Sequence, residues 1–192
     1  MKKLTLVALL SVALSAPAFA ERGVYLQVDA GRSWFKAKNH EESVSVKGFS
    51  PRLTVGYDFG NNVRAGLDYT RYKTARISSV DEEEQIESKV KLESVGFSVA
   101  YDFDVNEKIK PYIGARASIN RANTKETINE NGYVEHNANT QAKTGLGIMT
   151  GVGFQVSNNV TLDAGYRFNR WQKIETVKVH THELSAGVRF KF

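Results

Sequence analysis

The 192-residue chain contains no cysteine. No disulfide framework, thiolate metal site or cysteine nucleophile can therefore be built from it. Beyond residue 20 it has no apolar run near 18 residues, the length that a membrane-spanning helix needs. It also lacks a strong charge of one sign, with 26 basic residues against 21 acidic ones. Without Lys2 and Lys3 of the leader described next, 24 bases face 21 acids, a formal +3 that does not argue for a nucleic-acid surface. No Walker loop, dinucleotide fingerprint or G-x-S-x-G elbow is present. Two classes remain: a soluble domain, or a protein that crosses a membrane with strands. A mean hydropathy of −0.37 does not decide between them, because barrel interiors and outer loops are polar.

The chain opens on a processing signal. Lys2 and Lys3 precede a short apolar run from Leu4 to Leu14, and Ala18-Phe19-Ala20 fits the small-residue cleavage rule. Residues 1–20 are read as a signal peptide and 21–192 as one domain. Within that domain apolar and polar residues alternate repeatedly. In the closing stretch His182, Leu184, Ala186, Val188, Phe190 and Phe192 share one face, while Glu183, Ser185, Gly187, Arg189 and Lys191 share the other. A side-chain period of two is that of a strand, with one face in an apolar medium and one in a polar medium.

Eight such segments are countable: 23–36, 48–59, 62–73, 88–103, 110–122, 142–155, 159–171 and 179–192. Three connections are tight, at Gly60-Asn61-Asn62, 104–109 and Ser157-Asn158-Asn159. Four are longer, at 37–47, 74–87, 121–141 and 172–178. Short turns on one side and long loops on the other predict an all-β fold: an eight-stranded antiparallel transmembrane β-barrel with short periplasmic turns and four longer extracellular loops. Its place is the outer membrane of a Gram-negative bacterium. Tyr57, Phe59, Tyr101, Phe103, Phe154, Phe190 and Phe192 are expected in the periplasmic aromatic girdle, and Trp34, Tyr69 and Phe168 in the outer one.

The inward faces carry five acids, Asp29, Asp68, Asp102, Asp163 and Glu183, and five bases, Arg52, Arg64, Arg116, Arg167 and Arg189. Eight strands enclose little more than their own side chains, so a paired lumen charge network is expected rather than an ion path. At the outer strand ends Arg32, Arg71, Arg121 and Arg170 have lipid-facing parity, which makes them candidates for contact with lipopolysaccharide phosphates. In the loops, the run Asp81-Glu82-Glu83-Glu84 and the small basic patch of Arg170, Lys173, Glu175 and Lys178 stand out; the patch suits a sulfated glycan. His40, Glu82, Tyr133 and Lys173 are candidate receptor-contact residues. His180 and His182 share a face without an evident third metal ligand, and Ser185 and His182 point to opposite faces, which argues against a catalytic dyad. No cofactor, metal or nucleic acid is expected.

Several of these stretches also resemble the neisserial opacity proteins. They are Pro51-Arg52-Leu53-Thr54-Val55-Gly56-Tyr57-Asp58-Phe59, then Tyr101-Asp102-Phe103 with Lys110-Pro111-Tyr112-Ile113-Gly114-Ala115-Arg116, then Gly151-Val152-Gly153-Phe154 and Gly165-Tyr166-Arg167, and finally Gly187-Val188-Arg189-Phe190-Lys191-Phe192. The resemblance implies an opacity-type outer-membrane barrel whose outer loops bind host-cell receptors or glycans, that is, an adhesin. The alternative is a narrow porin or a purely structural envelope barrel. Resemblance to outer-membrane barrels also implies that Phe192 is read by the assembly machinery. The segments 74–87 and 121–141 are shorter than the family's variable loops and carry no receptor motif. The fold carries over through the resemblance; a receptor does not.

Overall fold

The computed structural model describes residues 22–38, 43–72, 74–81, 84–130, 133–172 and 178–192. The expected leader, His40, Glu82 and Lys173 lie outside them. Ten strands form one antiparallel sheet. They are β1 (Gly23–Lys38), β2 (Ser43–Phe49), β3 (Arg52–Asp58), β4 (Val63–Arg71), β5 (Ala75–Asp81), β6 (Glu84–Asp102), β7 (Ile109–Glu130), β8 (Tyr133–Gln155), β9 (Val160–Trp171) and β10 (Lys178–Lys191). The sheet closes through β10 on β1, from Tyr25 opposite Lys191 to Lys38 opposite Lys178. Closure satisfies every edge across the membrane, as a bilayer without water requires.

The ten strands make eight staves. β2 and β3 share one stave, interrupted by Pro51, which has no N–H to give to a ladder. Register with β1 runs on across the break, since Arg32 stands opposite Phe49 and Asp29 opposite Arg52. The β4–β5 stave behaves differently. β4 pairs with β6 as Arg71 opposite Glu93, whereas β5 pairs with β6 as Ala75 opposite Val90. That is one extra residue on the β4–β5 side, a bulge, so β5 is out of step with β4 by one residue in its register with β6.

The side chains follow the alternation. Leu53, Val55, Leu67, Val95, Phe97, Ile113, Ile148 and Leu162 are exposed on the outside. Such an apolar exterior is at home only in lipid. Tyr57 stacks edge-on against Phe59 with ring centroids 5.2 Å apart, and Tyr101 against Phe103 at 5.0 Å, on the short-turn side. Gly60 and Asn62 take positive φ in the first tight turn, the conformation for which Gly and Asn are suited.

Much of what the sequence suggests as long loops is strand. β7 has 22 residues and β8 has 23, where about 9–11 cross a bilayer. Within 74–87 and 121–141 the described residues therefore rise as a four-stranded flap, β5 to β8, beyond the apolar band. Register holds to Asp81 opposite Glu84 and to Glu130 opposite Tyr133, so Tyr133 begins a strand at the flap's far end.

Candidate functional site

Inside the barrel all ten anticipated charges take part in ion pairs, in two groups. The upper group is a chain of six. Arg52 Nε donates to Asp29 Oδ2 at 3.0 Å, and Arg52 Nη1 to Glu183 Oε1 at 2.6 Å. Arg167 Nη2 donates to Glu183 Oε2 at 2.9 Å, and Arg167 Nη1 reaches Asp68 Oδ1 at 3.3 Å. Arg116 closes on Asp68 through Nε and Nη2, both at 2.7 Å. The lower group has four members. Arg64 Nε donates to Asp102 at 3.0 Å, and Arg189 lies 3.7 Å from Asp102 and 4.0 Å from Asp163. Three acids meet three bases above and two meet two below, so each group is neutral.

Aromatic side chains complete the lower group. The Tyr112 hydroxyl donates to Asp163 at 2.9 Å, and the Arg64 guanidinium lies 4.5 Å from the Tyr112 ring centroid. A cavity of about 20 Å³ separates the two groups, lined by Tyr25, Arg52, Arg64, Asp68, Tyr112 and Arg167 among others. It has room for about one water. Ser185, on the inner face, accepts a bond from Arg52 Nη2 at 3.0 Å.

Above the upper group lies a layer of small polar side chains, among them Ser33, Ser50, Thr70, Asn120, Asn169 and Thr181, none more than 1% exposed. An aromatic plug caps that layer. Phe35, Tyr72 and Trp171 are buried together with Leu92 and Val179 packed against them. The Phe35 ring lies 4.8 Å from Tyr72 and 5.8 Å from Trp171, edge to face in both cases. The sequence reading missed the plug, although strand parity points Phe35 and Trp171 inward. At this height the outer medium is aqueous again, so the apolar face turns inward.

The outer face at the same height is charged. Arg32, Arg71, Arg121 and Arg170 are all exposed, but only Arg71 and Arg170 lie at strand ends as the sequence suggests; β1 and β7 run on past Arg32 and Arg121 to Lys38 and Glu130, because the sheet continues above the apolar band. They are not equivalent. Glu93 stands directly between Arg71 and Arg121 across β4, β6 and β7, and its carboxylate accepts a bond from the Tyr69 hydroxyl at 3.0 Å. Arg32 lies 6.0 Å from the Trp34 ring centroid. Arg170 pairs in register with His180, whose ring stacks on Phe168 at 5.8 Å. His182 Nδ1 is 2.7 Å from the Tyr166 hydroxyl. On the periplasmic side Asp104 accepts from the Asn62 amide at 2.6 Å and pairs with Lys110 at 3.2 Å; both hold its carboxyl below the usual carboxylate range.

Known proteins share this architecture and sequence. The model of the opacity family porin proteins matches residues 55–192. Opacity protein V28 of Neisseria gonorrhoeae is 34% identical, with 78% of this chain and 81% of that protein covered. Opacity protein opA67 of the same organism is 35% identical, covering 74% and 77%. Among solved structures, Neisserial surface protein A (NspA) is similar with a TM-score of 0.62 and 42% identity, covering 88% of this chain and 97% of that one. Ail, the attachment invasion locus protein of Yersinia pestis, solved with the heparin analogue sucrose octasulfate, shares the fold at a TM-score of 0.57 and 20% identity, covering 88% and 99%.

Proposed function

The chain belongs to the opacity family of porins, outer-membrane barrels of Gram-negative bacteria, and on that premise we propose that it is a non-enzymatic surface adhesin. In this reading the flap of β5 to β8 and the neighbouring strand ends make contact with a host-cell or matrix receptor. The observation that carries the proposal is the flap itself. A barrel that only filled the membrane would need no strands of 22 and 23 residues.

The flap's edge supports a binding role. Beyond Thr144, β8 pairs only with β7 among the described residues, and 137–140 are exposed. An exposed strand of this kind is a surface that a partner can meet. The attachment function in the name of Ail, a barrel of the same fold, points the same way. The narrow-porin reading has the interior against it, since two neutral ion-paired groups and an aromatic plug occupy the lumen.

The test is a graft. Residues 74–87 and 121–141 are transferred to an inert eight-stranded barrel, and cells displaying it are incubated with host cells and matrix proteins. Transfer of binding supports the adhesin reading. If the native protein binds and the graft does not, and removal of these segments from the native barrel leaves binding intact, the reading fails.

A further inference from the structure

The outer face above the apolar band bears charge of nearly one sign. Strand register sets Lys47 beside outward Trp34, and Lys89, Lys91 and Lys125 in line with outward Glu93 and Arg121. With Arg32, Arg71, Arg121 and Arg170 they make eight outward bases; Glu93 is the one outward acid at this level among the described side chains. The chain as a whole is close to balanced, with 26 bases and 21 acids. Among the described side chains, bases are thus gathered on this surface.

This gathering works against the sheet's own stability. Lys89 stands directly opposite Lys125 on the same face of β6 and β7, with Lys91 one step along. Like charges directly opposite each other destabilise a ladder. Such an arrangement is compensated when a polyanion lies over it.

The bases occupy two levels. The arginines mark the rim of the apolar band. Lys125 lies four residues beyond Arg121 along β7, roughly 13 Å further along the strand at about 3.3 Å per residue and so at a higher level. The face they share looks sideways over the surrounding leaflet rather than up and away from the cell.

We infer that this collar binds lipopolysaccharide of the protein's own membrane. The rim arginines take the phosphates of the lipid anchor, and Lys89, Lys91 and Lys125 take the anionic groups of the inner-core sugars. Guanidinium and ammonium groups suit these ligands through charge-assisted hydrogen bonds, as fork and point charge respectively. Glu93 divides the rim: it partly neutralises Arg71 and Arg121, so Arg32 and Arg170 carry more of the phosphate contact. The inference goes beyond adhesion and does not depend on it.

The experiment uses the intact protein in phospholipid nanodiscs free of lipopolysaccharide. Three probes are added separately: lipopolysaccharide with its inner core, the lipid anchor alone, and heparin. Two variants are compared, Lys89→Gln/Lys91→Gln/Lys125→Gln and Arg32→Gln/Arg170→Gln. Retention of the heat-dependent gel shift verifies that each barrel is folded. Binding of core-bearing lipopolysaccharide is expected to fall as salt rises. The lysine variant is expected to lose about tenfold or more toward core-bearing lipopolysaccharide and little toward the anchor alone. The arginine variant is expected to weaken for both. Absence of salt-sensitive binding, or equal binding by the native protein and both variants, overturns the inference. So does a lysine variant that loses heparin but keeps lipopolysaccharide, since a host polymer would then be the occupant.

Discussion

The inner and outer charges of this barrel use the same residue types in opposite ways. Inside, five carboxylates and five guanidiniums cancel within two groups, mostly at 2.6–3.3 Å and with Arg189 more distant at 3.7–4.0 Å. Outside, among the described side chains, eight bases surround one acid and some stand directly opposite each other. The surroundings explain the difference. A charge in the lumen has no bulk solvent, so it is tolerated only with a partner. A charge on the collar has water and headgroups, so its partner can be a ligand. The first set serves the fold, and the second is available for binding.

The comparison can be broken most sharply at Asp68. Asp68→Ala leaves Arg116 and Arg167 without a shared partner and is expected to destabilise the barrel on the order of 3–5 kcal/mol. Urea unfolding in lipid vesicles measures this. A loss below about 1 kcal/mol, the range of exposed pairs, would mean that the lumen is as well solvated as the collar. Trp171→Ala opens the plug and is expected to cost about 3 kcal/mol. Planar-bilayer recordings are expected to show no stable large-conductance steps for the native chain or for this variant, because the charge layers below still fill the barrel. Steps that appear only in the variant would locate closure in the plug alone.

Lys89→Gln is expected to have the opposite sign. Removing one of two like charges in register stabilises by about 0.2–1 kcal/mol. Destabilisation in the same urea assay would mean that Lys89 has a structural partner. The smallest effect is at Asp104 in the periplasmic turn. Its carboxyl is held low by Asn62 and Lys110, so its contribution is present above the ordinary value near about 4 and is lost as pH falls through its own lower value. The difference between the native chain and Asp104→Asn is expected to be slight at neutral pH and to vanish in stronger acid. A difference that grew on acidification would contradict this.

Alternation was legible in the chain because a strand puts every second side chain on one face whatever its neighbours are. It yielded the eight staves, the apolar exterior and the ten inward charges. The extra residue between β4 and β5 was not legible, and it shifts the register of β5 on β6 by one. Nor were the long strands of the flap, whose polar composition reads as loop. The plug went unseen because the faces exchange character once the strands leave lipid, and nothing local marks that height.

By itself the sequence determined which face each strand residue takes, because backbone geometry imposes a period of two. Only the tertiary structure decided which charges meet. Arg167 lies between Glu183 and Asp68, Glu93 between Arg71 and Arg121, and Lys89 opposite Lys125. These neighbours depend on the stagger between strands, and closure of the barrel sets that stagger for all of them at once.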